Sequence, residues 1–178
     1  FLRNGLMQYG SIFGHGAYLG PDFPADYLHR AATSVQEQYG GPEAGHARTV
    51  EDFRTNRYDE RSATLVWSPA QAKAFTELTA HYAELLGSPD GKQGLRPNAV
   101  TDPGEIRDLT SYFGWTAWAA ATDRPDKTYS YTNNWPYDPE AGNTPSTEAY
   151  VWSALSLVAL LAGIGLILLA FGKYHFLG

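Results

Sequence analysis

The sequence predicts a mainly α-helical domain followed by one transmembrane helix. Three segments before residue 122 repeat apolar residues at the helical period of about 3.6, and turn-forming residues separate them. Residues 149–172 then form a Leu-rich run without a single charged side chain. The roughly 150 residues before that run are enough for one domain with a hydrophobic core.

The first helix is predicted over residues 23–39. Its apolar face consists of Tyr27, Leu28, Ala31 and Val35. Two consecutive glycines follow at residues 40 and 41, and glycine is the residue that most often ends a helix. We therefore expect the chain to turn at this point.

Two further helices are predicted from capping boxes. Ser68 and Asp102 are each followed by a proline and, three residues after the cap, by Gln or Glu. Apolar residues then recur at helical spacing as far as residues 86 and 120. Phe75 and Phe113 lie on these apolar stripes, so we predict both to be core residues.

Most of the other segments are predicted to be loop. Residues 42–61 are polar, with room for one short helix, and residues 88–100 are rich in Gly and Pro. Residues 63–67 are the candidate for a short strand. The domain is therefore expected to contain little β-structure.

A turn-rich segment, residues 122–145, also carries several aromatic side chains: Tyr129, Tyr131, Trp135 and Tyr137. This many aromatic residues are unusual in a flexible linker, because each would expose a large apolar surface. We expect the segment to pack, either on its own domain or on neighbouring membrane helices.

The run at residues 149–172 predicts the membrane span. At 1.5 Å per residue it forms a helix of roughly 36 Å, which is enough to cross a hydrocarbon core of about 30 Å. The alternative, a buried helix of a soluble core, is rarely uncharged on every face. Aromatic residues flank both ends, as in interfacial belts: Tyr150, Trp152, Phe171 and Tyr174. Lys173 follows the run and favours a cytoplasmic C-terminus.

Charge and cysteine content exclude several classes of function. The chain has 19 acidic and 13 basic residues, and a net charge of −6 argues against a nucleic-acid partner. It has no cysteine, which excludes disulfides, thiolate metal sites and covalent attachment of a c-type haem. It begins at Phe1 without an initiator Met and ends just after the apolar run, so we expect it to be part of a longer polypeptide.

The sequence contains no recognisable catalytic site. No two of the five histidines are three or four residues apart, and no H-E-x-x-H pattern is present. Gly14, Gly16 and Gly20 have the wrong spacing for a dinucleotide-binding loop, and no strand rich in β-branched residues precedes them. We therefore assign no catalytic residue and no cofactor-binding residue to this segment.

Three stretches nevertheless resemble a known family, the quinol-dependent nitric oxide reductases. Their most specific parts are GHGAYLGPDF at residues 14–23, WTAWAAA at 115–121 and YSYTNNWP at 129–136, followed by the apolar run. The resemblance implies an extracytoplasmic cytochrome-c-like domain at residues 1–147, a transmembrane helix at 148–173 and the start of a cytoplasmic loop at 174–178.

The resemblance also implies that the domain has lost its haem. In the related cytochrome-c-dependent enzyme, a C-x-x-C-H motif lies a few residues ahead of G-x-G-A-Y. Residues 14–18 of this chain read GHGAY, and residues 6–10 occupy the haem-attachment position without the two cysteines or the histidine. Met7, the only Met of the chain, has no position that would make it an axial ligand.

For the complete enzyme, the resemblance implies reduction of two NO to N2O and water, a step of denitrification in the bacterial inner membrane. Haem b, haem b3 and a non-haem iron would lie in further membrane helices of the same polypeptide, which would take electrons from membrane quinol within the lipid bilayer. The backbone carbonyls of Gly16 and Tyr18 would help to hold a calcium ion. Two other classes remain open: a single-pass membrane-anchored binding or adhesion domain, and a small anchored hydrolase.

Overall fold

A computed structural model describes residues 1–133 and 144–174. The chain divides into two compact units, Phe1–Asn133 and Asn134–Gly178, which we describe separately. The first contains the helices α1 Phe23–Gln38, α2 Gly41–Ala44, α3 His46–Arg54, α4 Pro69–Leu86 and α5 Pro103–Ala121. The unit also contains two short antiparallel hairpins, one before α1 and one between α3 and α4: β1 Ser11–Ile12 with β2 His15–Gly16, and β3 Tyr58–Asp59 with β4 Thr64–Leu65. The predicted mainly helical fold is confirmed.

The three long helices begin at the caps that the sequence contains. The side chains of Asp22, Ser68 and Asp102 each accept a hydrogen bond from the backbone N–H three residues later. The reciprocal half of the two capping boxes is used for tertiary contacts. Gln71 donates to the carbonyl of Asp52, and Glu105 pairs with Arg3 at 2.5 Å. These glutamine and glutamate side chains therefore join separate parts of the chain.

An aromatic cluster forms the centre of the core between α1, α4 and α5. The rings of Phe23 and Phe113 stack with their centroids 4.4 Å apart, and Tyr82 meets Phe113 edge-on at 5.1 Å. Phe1 packs edge-on against Phe23 at 5.5 Å and closes one side of the cluster. All three central rings are fully buried. Such ring pairs contribute roughly 0.5–1.5 kcal/mol beyond the area they bury.

At Gly114 the backbone of α5 closely approaches two aromatic side chains, Tyr27 on α1 and Trp67 just before α4. A Cβ at this position would lie 3.0 Å from the phenol of Tyr27 and 3.3 Å from the indole of Trp67. A side chain here would push the two rings back by a few tenths of an ångström, so glycine permits the closest packing. Gly114, which directly precedes the WTAWAAA stretch at residues 115–121, is therefore a packing residue.

The prediction for Phe113 is confirmed, whereas that for Phe75 is wrong. Phe75 is only partly buried and lies at the edge of the core, beside Arg107 and an open groove. Ala74 and Leu78 occupy the buried positions of α4 instead. The apolar stripe of α4 is wider than the arc that faces α1 and α5, so its edge remains accessible to solvent.

The loop predicted over residues 42–61 is largely helical, since α2 and α3 fill most of it. Gly40 and Gly41 adopt φ of 104° and 87°, which ends α1 and redirects the chain into α2. On α3 the buried side chains are the polar Thr49 and Asp52, so the helix has no regular apolar period to reveal it. The predicted strand within residues 63–67 is confirmed as β4, and residues 88–100 are irregular as predicted.

The aromatic segment packs on its own domain as far as the structure describes it. The guanidinium of Arg124 lies 5.6 Å from the ring centroid of Tyr129 and 5.8 Å from that of Tyr131. The Tyr131 ring also packs on Trp118 at 4.9 Å, and its hydroxyl accepts a hydrogen bond from Asn56. Trp135 and Tyr137 lie outside the described residues.

In the second unit, α6 spans Thr147–Tyr174. It is long and apolar enough to cross a membrane, and no part of its apolar window is buried within the structure. Ser146 caps its first turn by accepting a hydrogen bond from the backbone N–H of Ala149. An apolar helix whose side chains are exposed all round is the form expected of a segment that lies in lipid.

Candidate functional site

The GHGAY stretch at residues 14–18 begins in the turn of the β1–β2 hairpin. Ile12 pairs with His15, and the two residues between them, Phe13 and Gly14, have φ of 51° and 77°. Two consecutive residues with positive φ are the signature of a type I′ turn. The turn therefore requires Gly14. Phe13 occupies a left-handed conformation that is rare for an aromatic residue.

Asp22 ties this hairpin to the start of α1. Its Oδ2 accepts hydrogen bonds from the Ser11 hydroxyl at 2.8 Å and from the Gly14 N–H at 2.7 Å. Its Oδ1 accepts the capping bond from the Ala25 N–H at 3.2 Å. Sequence reasoning did not assign Asp22 a role, although its position directly before a helix is a signal for an N-cap.

Gly16 lies where no side chain fits. Its φ is 139°, and a Cβ at this position would collide with the carbonyl oxygen of Gly10. The closing pair of a two-residue hairpin exchanges both hydrogen bonds, so the next pair, Ser11 and Gly16, directs its backbone groups away from the partner strand. The Ser11 N–H accordingly donates to Pro21. The carbonyl of Gly16 is therefore turned out of the hairpin.

Tyr18 lies two residues further on, in an exposed segment. The residue is 83% exposed, and its hydroxyl donates to the carbonyl of Gly14 at 3.0 Å. Within residues 1–133, no side chain and no turn or loop N–H donates to the carbonyl of Gly16 or of Tyr18. Both carbonyls that the resemblance assigns to calcium are thus available.

The carbonyl oxygens of these two residues are suitable ligands for a calcium ion, but they are too few to complete its coordination shell. Calcium accepts neutral carbonyl oxygens and requires six to eight ligands. The described residues contain no group of three or more His, Asp or Glu side chains that could hold a metal. Residues 1–133 would therefore supply only part of a coordination shell, with the other ligands coming from elsewhere.

Residues 6–10, at the position of haem attachment in the related enzyme, are built into the core. Leu6 is fully buried, and residues 6–8 form a turn of 3-10 helix. A Cβ at Gly10 would lie 2.6 Å from the ring of Phe23, so backbone and ring are in direct contact. The carbonyl of Met7 accepts a hydrogen bond from the Ala17 N–H at 3.0 Å. This segment therefore supports the hairpin through its backbone.

A partly buried polar cluster on α1 and α4 was not predicted from the sequence. Asp26 binds the guanidinium of Arg30 at 3.0 Å and accepts a hydrogen bond from the Tyr82 hydroxyl at 3.0 Å. Burial, with the adjacent Asp26 carboxylate, raises the pKa of Tyr82, which therefore stays protonated. Its only sequence signal is the spacing of four residues between Asp26 and Arg30.

His81 adjoins this cluster, with Nε2 buried and 4.0 Å from Oδ2 of Asp26. Burial lowers the pKa of His81, and the nearby Arg30 guanidinium lowers it further. The carboxylates of Asp26 and Glu84 oppose this effect, while Lys92 adds to it. His81 is therefore held in its neutral form below the pH at which a free histidine becomes charged.

We expect this histidine to make the domain sensitive to acid. The unfolded chain binds a proton at about pH 6.5, whereas the folded state resists protonation, so stability present above that pH is lost as the pH falls through the folded pKa. In a His81→Gln variant, the loss of melting temperature between pH 7.5 and pH 5.0 should be smaller than in the wild type. Thermal unfolding of both chains at the two pH values, followed by near-UV circular dichroism, gives the melting temperatures. Equal losses of melting temperature in the two chains would contradict this role of His81.

A buried carboxylate, that of Asp52, joins three helices. Its Oδ2 accepts hydrogen bonds from the Ser68 hydroxyl at 2.7 Å and from the Tyr39 hydroxyl at 3.0 Å. The guanidinium of Arg57 lies 2.6 Å from Oδ1, in the geometry of an ion pair rather than of an aligned hydrogen bond. Because Ser68 is at once the N-cap of α4 and a donor to Asp52, the arrangement is that of a structural junction between α1, α3 and α4.

Comparison with known proteins assigns the family. The family model for the cytochrome c-like domain of NorB, a component of nitric oxide reductase, matches residues 1–137. The search of curated proteins found no match. Together with the membrane-length helix α6, the family match indicates a membrane-associated component of an oxidoreductase. The chain belongs to the NorB cytochrome c-like domain family of the nitric oxide reductases.

Proposed function

We propose that residues 1–147 form an extracytoplasmic, haem-less domain of a quinol-oxidising nitric oxide reductase in the bacterial inner membrane. Residues 148–173 span that membrane, and residues 174–178 begin a cytoplasmic loop. The family match and the apolar length of α6 support the assignment. They favour the reductase over an anchored adhesion domain or hydrolase.

The observation that carries the proposal is the packing of residues 6–10. Covalent attachment of a c-type haem requires thioether cysteines and an axial histidine, and here Leu6 and Gly10 pack into the aromatic core instead. A domain built in this way has no covalent haem through which to pass electrons. Electrons would therefore reach the catalytic centre directly from a membrane-soluble donor, and quinol is a donor of that kind.

In such an enzyme, haem b, haem b3 and a non-haem iron in the remaining membrane helices would supply the redox chemistry that converts two NO, two electrons and two protons to N2O and water. The part of this chain is structural. The carbonyls of Gly16 and Tyr18 would contribute two ligands to a calcium ion, and the fixed turn of the hairpin orients that of Gly16. The side chain of Tyr18 is not required, because only its carbonyl would bind.

The proposed topology predicts a labelling pattern in spheroplasts. Residues 1–178 contain no cysteine, so each variant introduces one thiol into this segment. A cysteine at Asp90, which is exposed, should react with an impermeant maleimide in intact spheroplasts. A cysteine at Leu177 should react only after the membrane is permeabilised. The opposite pattern would contradict an extracytoplasmic domain.

A further inference from the structure

The segment that follows Gly16 packs against two other stretches of backbone. The N–H of Gly20 donates to the carbonyl of Tyr9 at 2.5 Å. A Cβ at Gly20 would lie 3.0 Å from the carbonyl oxygen of Gln93 and 3.1 Å from that of Tyr9. The backbone next to Tyr18 is therefore in contact with residues far away in the sequence, with no side chain in between.

Gly94 makes the closest of these contacts. It adopts a φ of 78°, and a Cβ built on it would overlap the carbonyl oxygen of Leu19 and lie 2.6 Å from the carbonyl carbon. The same Cβ would lie 3.2 Å from the N of Gly20. Any side chain at position 94 must therefore displace the peptide between Leu19 and Gly20 relative to the loop that carries Gly94.

The loop that carries Gly94, residues 88–100, is itself firmly anchored. The side chain of Leu95 is buried in the core. Within the loop, the N–H groups of Gly91 and Asn98 both donate to the carbonyl of Ser88, at 3.3 Å and 2.8 Å. At its end, the N–H of Val100 donates to the carbonyl of Leu86 on α4 at 3.1 Å. The contact at Gly94 is thus made against a fixed surface.

We propose that this loop, through Gly94, is the positioning element for the calcium-binding carbonyl of Tyr18. The peptide that it holds is the one directly after the Tyr18 carbonyl, so a displacement at Leu19 moves that oxygen. The inference rests on the calcium site of the proposed function. Gly94 itself binds no metal and acts only through the backbone of residues 18–20.

The test is the calcium affinity of the intact, detergent-solubilised enzyme carrying Gly94→Ala. After chelation, calcium is titrated back, and the bound metal is measured by elemental analysis and by a calcium-dependent rise in melting temperature. We expect calcium to bind at least about fivefold more weakly than to the wild type, the lower end of typical coupling between sites. Gly41→Ala is the matched control, because Gly41 has a similar φ of 87° but open space around it. Its calcium affinity should equal that of the wild type.

A second measurement on the wild-type enzyme does not depend on the folding of a variant. Coupling between two sites is reciprocal. If the loop at residues 88–100 strengthens calcium binding, bound calcium must also stabilise the loop. Removing calcium should therefore accelerate hydrogen exchange at the amides of Gly91, Leu95 and Asn98, although none of them is a ligand. The amides of α4 serve as the reference and should not change.

The outcomes separate the inference from its basis. A wild-type enzyme without bound calcium overturns both the calcium site and the inference. A wild type that binds calcium, together with unchanged affinity in Gly94→Ala and unchanged exchange in residues 88–100, overturns the inference alone. Where Gly94→Ala does not fold, the exchange measurement decides: faster exchange upon chelation supports the positioning role, and unchanged exchange refutes it.

Discussion

Replacing Phe113 by alanine is expected to lower the free energy of unfolding by about 3–5 kcal/mol. Its ring is fully buried and stacks on Phe23 at 4.4 Å, so truncation removes the centre of the aromatic cluster and leaves a cavity. Neighbouring rings cannot fill that space without leaving their own contacts, because Tyr82 is held by its hydrogen bond to Asp26. Urea unfolding of the chain in detergent micelles, followed by near-UV circular dichroism, measures the loss.

The control for this experiment is Phe75→Ala on α4. This ring is only partly buried at the edge of the core, so its removal should cost about 1 kcal/mol, a fraction of the value for full burial. A loss below about 1 kcal/mol for Phe113→Ala, or equal losses for both variants, would contradict the assignment of Phe113 to the centre of the core.

Replacing Asp52 by alanine is expected to cost about 2–4 kcal/mol of unfolding free energy. The carboxylate is 4% exposed, and its removal leaves the hydroxyls of Tyr39 and Ser68 without their acceptor. Arg57 would also lose its partner, but its side chain is 31% exposed, so water recovers part of that interaction. The estimate is therefore smaller than for a fully buried pair.

The neighbouring acid Glu51 gives the matched control. It lies on the same helix but is exposed, so Glu51→Ala should change the free energy of unfolding by less than about 0.5 kcal/mol. Urea unfolding of the two variants under identical conditions makes the comparison. A loss under about 1 kcal/mol for Asp52→Ala would mean that the carboxylate does not hold the junction of α1, α3 and α4.

The sequence predicts the long helices well because their signals are local. Asp102 and the proline after it mark the start of α5 without reference to any other part of the chain. By contrast, α3 is short, and its buried residues Thr49 and Asp52 are polar, so no apolar pattern reveals it. Phe75 shows the complementary limit: the apolar stripe predicts which side of α4 faces inward but not how wide the contact is.

Only the part of the candidate site that lies in one continuous stretch of sequence could be predicted. Gly16 and Tyr18 belong to a continuous motif and could be assigned from the resemblance. The contact that holds their segment involves Gly94, more than 70 residues away, and backbone contacts of this kind leave no pattern in the sequence beyond isolated glycines. The carboxylates of Asp26, which is partly buried, and of Asp52, which is buried, were missed because charged residues are normally expected at the surface.

The central claim, that electrons bypass this domain and come from quinol, is tested most directly by the choice of electron donor. The intact purified enzyme is given NO with either a reduced soluble quinol or reduced cytochrome c, and the consumption of NO is followed with an electrode. A haem-less domain predicts rapid, stoichiometric NO consumption with quinol and none above background with cytochrome c. Turnover driven by cytochrome c, with quinol inactive, would contradict the account.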